Sequence, residues 1–245
     1  MKSFASFQSK TSLEKRTKKT PTIDVEDISM MNMDMDMGIS DAARLGYTYI
    51  VQHKLKSCSN IELNNVMEMA AMYGHIDIVL LALNSGANNL NRTMEIAAHG
   101  GSMDIVLLMI SKGANNWNSA MVNAAYHGHI DIVMLMIDHG ANSWNDTMIK
   151  AAANGHMNIV LLMIDHGADS WEESMEKAAM CGHMDIVMLM ISKGAVDTNK
   201  AMPLAVFFGQ VEVIKVLIEH GADNYLEFLD ATDDEKIKNL LQSYR

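Results

Sequence analysis

Histidine is the residue of this chain whose type and spacing most directly suggest chemistry. His75, His129, His156 and His183 each follow a glycine, and they lie at multiples of 27 residues from one another. Imidazole binds Zn²⁺, but protein zinc sites bring ligands together from short spacings of about two to four residues. Regular spacing instead predicts a row of histidines, one per unit, each hydrogen-bonding the turn before its helix. We therefore expect no metal site and no cofactor.

Catalytic motifs are absent from the chain. No glycine-rich phosphate loop, nucleophile elbow or Ser/His/Asp set stands apart from the repeat. Every glycine, histidine and aspartate that could serve such a site recurs with the period, so the scaffold explains it first. The sequence therefore predicts a protein that is not an enzyme.

A tryptophan row follows the same period at Trp117, Trp144 and Trp171. Such a row can act as a platform on which a ligand stacks, or as rigid apolar filler between units. Leu90 and Tyr225 hold the same position at either end. A shared apolar position favours packing over ligand binding.

Two helices per unit must position these side chains. In one unit the pattern predicts a first helix over Asn91–His99, a turn at Gly101 and a second helix over Ser102–Lys112. We expect asparagines such as Asn118 to cap the first helices, with the preceding tryptophan as a hydrophobic staple. Paired alanines let the two helices approach closely.

Stacking of about seven units is predicted between residues 38 and 223. One such unit cannot bury its apolar face alone, whereas stacked neighbours can. Residues 1–37 are predicted to be a disordered tail, because they combine polar residues with a low-complexity methionine run. Residues 224–245 are predicted to form a capping half-repeat with polar outer positions.

Charge excludes some classes of partner. The chain carries a net charge of −11, and six basic residues against one acid in residues 1–20 leave the rest at −16. Such a surface repels phosphate backbones, so we expect no nucleic acid. The two cysteines lie far apart, and neither a membrane span nor a secretory signal occurs, so we expect no membrane association and an intracellular location.

A basic segment near the N-terminus leaves two interpretations open. Lys15, Arg16, Lys18 and Lys19 are typical of a nuclear import signal, and equally of a solvated tail.

Gly-His-x-Asp-Ile-Val followed by Gly-Ala-Asn or Gly-Ala-Asp resembles the second half of an ankyrin repeat. An ankyrin unit has about 33 residues, and the six missing here would have built the projecting β-hairpin finger. The resemblance therefore implies an all-α, ankyrin-like α-solenoid of helix–turn–helix repeats without fingers. This shortened form is similar to arrays encoded by giant DNA viruses of the mimivirus type, which implies a host cytoplasmic location.

The family implies a non-enzymatic scaffold that binds a partner protein through the repeat surface. An alternative is a structural or assembly component of a virion or viral factory, packing through an apolar outer face, with self-association possible. Neither interpretation identifies the partner.

Positions that vary within the constant pattern are the first candidate partner-binding residues. They follow each alanine pair, at the predicted end of the first helix. Variation there suits a recognition surface, and drift at tolerant positions gives the same pattern. The candidates are Met72, Tyr73, His99, Tyr126, His127, Asn154, Met180 and Cys181.

A second candidate set lies just after the Ile-Val pair, where ankyrin repeats usually place a charged residue. In five successive units the residue is aliphatic: Leu80, Leu107, Met134, Leu161 and Met188, here called the outer stripe. Either the outer stripe is an exposed contact surface, or loss of the finger rotates the second helix and buries it. Asn123, Lys150 and Lys177 favour rotation, since the family normally buries their positions.

Overall fold

The computed structural model describes residues 36–229 and 232–245, and these residues fold into helices, turns and loops with no β-strand. Ile39–Arg245 form one compact unit. The predicted all-α solenoid without β-hairpin fingers is confirmed over the described residues. Residues 1–35 of the predicted tail, with the basic segment Lys15–Lys19, lie outside them.

Seven helix pairs follow one another and a final helix closes the array. The first helices of the pairs are α1 (Ile39–Leu45), α3 (Asn60–Met72), α5 (Leu90–His99), α7 (Trp117–Tyr126), α9 (Trp144–Ala153), α11 (Trp171–Cys181) and α13 (Thr198–Phe207). The second helices are α2 (Thr48–Lys54), α4 (Ile76–Asn84), α6 (Met103–Ser111), α8 (Ile130–Asp138), α10 (Met157–Asp165), α12 (Met184–Lys193) and α14 (Val211–Glu219). Short 3₁₀ segments at Leu55–Ser57 and Asn224–Phe228 and the helix α15 (Glu235–Ser243) are the remaining elements of residues 36–229 and 232–245.

Methionine and alanine fill the space between the helices of a pair. Met121 in α7 and Met136 in α8 are fully buried, as are Ala124 and Ala125. The alanine pair keeps the two helices close, and the flexible methionines fill the remaining irregular gaps. Each buried methionine contributes about 1.5–3 kcal/mol relative to an exposed one. Of the 24 methionines of the chain, ten are fully buried in this way within the described residues.

Asparagine side chains join each unit to the next loop rather than capping their own helix. Asn118 Oδ1 accepts the backbone N–H of Asn142 at 2.7 Å and that of Ser143 at 3.1 Å. The N-cap of α7 is Asn116, which makes no side-chain cap bond, and Trp117 is already helical. The predicted asparagine cap with a tryptophan staple is therefore wrong, because the asparagine lies inside the first turn and turns toward the neighbouring loop.

This asparagine bridge recurs along the array. It satisfies the N–H groups of the short loop that stands where a finger would project. The bridge is missing at Glu172, where Val196 occupies the loop position. The bridging residues are Asn64, Asn91, Asn118, Asn145 and Asn199.

Histidine forms a second bridge, also between units. The ring of His156 lies with Nε2 3.2 Å from the carbonyl oxygen of Tyr126, the last residue of α7. The predicted structural role is correct, but the predicted partner is wrong: the ring reaches the preceding unit, not its own turn. It also lies beside Gly128, where an added Cβ would come within 2.7 Å of the ring. Glycine is therefore required there both for its φ of +80° and for its small size.

The array curves toward its first helices. Neighbouring first helices pack closely along the whole array, whereas neighbouring second helices contact one another sparsely. Since the closely packed layer has the shorter repeat distance, the first helices form the inner face and the second helices form the outer face.

Two glycine substitutions separate backbone strain from this packing between units. Gly128→Ala and Gly140→Ala both place alanine at positive φ, +80° and +95°, which costs about 1–2 kcal/mol. Nothing lies within 4 Å of a Cβ at Gly140, whereas the His156 ring obstructs one at Gly128. Gly128→Ala should therefore lower the free energy of unfolding by about 1 kcal/mol more, the worth of the displaced hydrogen bond. Urea unfolding followed by circular dichroism measures the difference.

The same substitutions in a His156→Ala background provide the control. Without the ring, Gly128→Ala and Gly140→Ala should cost the same. Equal costs already in the presence of His156 would contradict the histidine bridge.

Candidate functional site

A groove of about 540 Å³ crosses the inner face at three consecutive first helices, α7, α9 and α11. Eight of its ten lining residues have polar or charged side chains, and the other two, Val122 and Ile149, are aliphatic. The lining residues are Asn118, Ser119, Val122, Asn123, Ser143, Asp146, Ile149, Lys150, Glu173 and Lys177.

The groove opens where a link between units is absent. In the units before it, Glu68 Oε1 accepts the Asn89 side-chain N–H at 2.8 Å, and Glu95 accepts that of Asn116 in the same way. The positions corresponding to Glu95 and Asn116 hold Val122 and Ser143 one unit later. This pair is too short to span the gap between units, so the space stays open.

The next unit repeats the replacement, with Ile149 and Ser170 at these positions. Val122 and Ile149 are half-buried and give the groove its aliphatic surface. The groove therefore follows from two adjacent substitutions in an otherwise constant pattern.

Charges of both signs line the walls. Asp146 and Glu173 contribute carboxylates, and Lys150 and Lys177 contribute ammonium groups. These four charged groups supply donors and acceptors to a segment that lies over Val122 and Ile149. The amides of Asn118 and Asn123 are already hydrogen-bonded within the fold. This arrangement suits binding of a peptide segment.

None of the groove residues was among the candidates predicted from the sequence. Asn123, Lys150 and Lys177 were singled out as unusual, but as evidence that the second helix rotates. The usable signal was the change from Glu68 and Glu95 to aliphatic residues at the same repeat position.

The predicted helix-end candidates lie along one rim, where the first helices end. Tyr73, Tyr126, His127 and Cys181 are exposed there, and Met72, His99, Asn154 and Met180 are half-buried. Their accessibility is compatible with a recognition surface.

His99, Tyr126 and His127 form a cluster across two units. The Nε2 atoms of His99 and His127 lie 2.9 Å apart, and the ring of Tyr126 stacks 6.0 Å from that of His99. His129 Nε2 lies 3.1 Å from the backbone carbonyl oxygen of His99. Two ring nitrogens at this distance share one proton, so one ring donates and the other accepts.

Burial lowers the pKa of both histidines in this pair. For His99 partial burial is the main cause, and the neighbouring charges of His129 and Arg92 add to it. For His127 burial again comes first, followed by repulsion from His99, His129 and His156. The folded protein therefore favours the neutral pair.

The outer stripe is exposed. Its five side chains have exposed fractions between 36% and 51%. The interpretation in which loss of the finger rotates the second helix and buries the stripe is therefore wrong. Asn123, Lys150 and Lys177 are accommodated differently, in the inner groove.

The tryptophan row packs against histidines. The half-buried ring of Trp117 lies 4.8 Å from that of His139, and Trp144 lies 4.7 Å from His166. Both histidines end the second helix of the same unit. These contacts place the indoles against the scaffold beside the short loops.

Residues 36–229 and 232–245 contain no group of three or more histidine, cysteine, aspartate or glutamate side chains arranged to hold a metal ion. Nor is any helix in this part of the chain long and apolar enough to cross a membrane.

Comparison with known families gives a match over the central units. Residues 93–174 match the family model "Ankyrin repeats (3 copies)", which supports an ankyrin-repeat protein. The match covers α7, α9 and the beginning of α11, which carry the inner groove. No curated protein matches the chain.

The histidine pair predicts a pH-dependent stability. Because the folded-state pKa values of His99 and His127 lie below the ordinary 6.5, the unfolded chain binds more protons just below that pH. The free energy of unfolding should therefore fall as the pH drops through this window. His99→Gln combined with His127→Gln should make the fall shallower between about pH 7.5 and about pH 5.5, as measured by thermal unfolding.

His53→Gln is the matched control, since His53 is exposed and lies outside the cluster. The free energy of unfolding of the His53→Gln variant should fall with pH as it does in the unmodified protein. If the His99→Gln, His127→Gln double variant kept the pH dependence of the unmodified protein, the histidine pair would not be the source of that pH dependence.

Proposed function

We propose that this protein is a non-enzymatic scaffold that binds an extended segment of a partner protein in the inner groove. The observation that carries the proposal is the groove itself, which crosses three first helices and is lined by charged, polar and aliphatic side chains. Ankyrin repeats generally mediate protein–protein interaction, and the matched residues 93–174 include most of the groove.

The groove chemistry defines the kind of segment that fits. Val122 and Ile149 accept one or two apolar side chains. Each of α9 and α11 brings one carboxylate and one lysine to the groove, Asp146 with Lys150 and Glu173 with Lys177. The groove can therefore pair with both kinds of charged side chain, and such contacts favour specificity over raw affinity. The exposed rim of Tyr73, Tyr126 and His127 extends the binding surface past the ends of the helices.

A second candidate function is a structural or assembly role exerted through the outer face. The exposure of the outer stripe favours it, because soluble monomers rarely leave contiguous apolar surface uncovered. This function uses a surface separate from the groove.

We place the protein inside the cell. The resemblance to the shortened arrays of giant DNA viruses supports viral origin and the host cytoplasm, and Lys15, Arg16, Lys18 and Lys19 supply a route to the nucleus. The charge of −16 outside residues 1–20 opposes nucleic acid as a partner.

Closing the groove tests the proposal. Val122→Glu with Ser143→Asn, together with Ile149→Glu and Ser170→Asn, copies into the groove the glutamate–asparagine link of the preceding units. Because the link already occurs in this fold, the closed-groove variant should remain folded and at least as stable. Proteins retained from cell extract by the unmodified chain should be lost, as measured by quantitative mass spectrometry of affinity captures.

The reverse exchange, Glu95→Val with Asn116→Ser, is the matched control because it removes the same link outside the groove. It should leave the set of retained proteins unchanged. Retention of the same proteins by the closed-groove variant would contradict the proposal.

A further inference from the structure

The outer stripe is the centre of a wider apolar face. Met134 in α8 is flanked by Ile130 and Ile137, four residues before it and three after it, and both are half-buried. Residues at these spacings share one face of a helix. The same pattern surrounds Leu80, Leu107, Leu161 and Met188, so each of five second helices presents an aliphatic ridge.

Charge on this face is mainly negative, and Lys112, the C-cap residue of α6, adds one exposed cation just beyond the helix bounds. The five helices α4, α6, α8, α10 and α12 carry six carboxylates and one lysine, all exposed: Asp77, Asp104, Asp131, Asp138, Asp165, Asp185 and Lys193. None of the ion pairs among the described residues includes any of them. Asp131 and Asp138 lie three residues before and four after Met134, so carboxylates border the aliphatic ridge on that helix.

We propose that the outer stripe binds a cationic amphipathic helix of a partner protein. Aliphatic side chains of that helix would pack on the ridges, and its lysines or arginines would pair with the bordering aspartates. Neighbouring second helices contact one another sparsely, so the aliphatic ridges of adjacent helices are separated from one another. Grooves between ridges are the surface against which a further helix packs.

The same charges disfavour other occupants. A second copy of this chain placed face to face would bring two sets of carboxylates together, which costs binding free energy. Anionic lipid and nucleic acid meet the same repulsion. Binding of a helix on the outer face does not depend on the inner groove. If the protein has an assembly role, its partner would carry such a cationic amphipathic helix.

A designed probe tests it. The probe is a fluorescent helical peptide of about 18 residues, two helix diameters or more in length, with leucines along one face and lysines flanking them. It should bind the full chain saturably in fluorescence anisotropy, and binding should weaken as salt rises. Leu107→Gln, Met134→Gln and Leu161→Gln together should weaken binding at least tenfold.

Three comparisons make the result decisive. The closed-groove variant should bind the probe as tightly as the unmodified chain does. A failure of the outer-stripe proposal can therefore be told apart from a failure of the groove proposal. Asp104→Asn, Asp131→Asn and Asp138→Asn together should also weaken binding, and they leave the aliphatic ridge intact. A peptide of identical composition with its leucines dispersed around the helix should not bind saturably.

Equal binding by the glutamine variant or by the asparagine variant would overturn the proposal. So would equally tight binding of a peptide with glutamate in place of lysine. A dimer of the unmodified chain in sedimentation velocity, lost in the glutamine variant, would show instead that a second copy occupies the face.

Discussion

Polar side chains that reach the backbone of the neighbouring unit are the constraint on which this structure depends. A two-helix unit cannot bury its apolar face alone, and without a finger the short loop between units leaves N–H groups unpaired. Asn118 satisfies two of them in the following loop, and His156 reaches back to a carbonyl oxygen of the preceding unit. Because every unit is held through backbone atoms, its remaining side chains are free to vary.

Residues that vary inside this constant pattern produce the two candidate binding surfaces, the inner groove and the outer stripe. Replacing a glutamate–asparagine link by Val122 and Ser143 opens the inner groove, and replacing outer charges by aliphatic residues produces the outer stripe. One irregular unit shows the limits of the pattern. Ser102 stands where four of the units have histidine. In the same unit Gly100 lies against the backbone of Met72, where any Cβ would collide with the carbonyl oxygen. The small side chain of Ser102 and the close approach of Gly100 to the preceding unit therefore occur at the same interface.

The helices were predictable from the sequence because their causes are local. The first helix was predicted at Asn91–His99 and is observed at Leu90–His99, so it begins one residue earlier. The second was predicted at Ser102–Lys112 and is observed at Met103–Ser111, so it is shorter by one residue at each end. The role of Asn118 was not predictable, since an asparagine at a helix start bonds equally well to its own helix or to a neighbouring loop. The groove was not predictable in this way, because it arises where two units lack the glutamate–asparagine link. Exposure of the outer stripe depended on the rotation of the second helix, which tertiary packing decides.

The central claim is that internal units that keep both the asparagine bridge and the histidine bridge are interchangeable. Deleting Asn116–Asn142 tests it most directly, because the deletion joins Asn115 to Ser143 and offers Asn91 two backbone N–H groups again. His156 would then face the carbonyl oxygen of His99. Circular dichroism during urea unfolding should show an undiminished helical signal per residue and a single cooperative transition. A deletion protein that lacks helical signal or cooperative unfolding would contradict the claim.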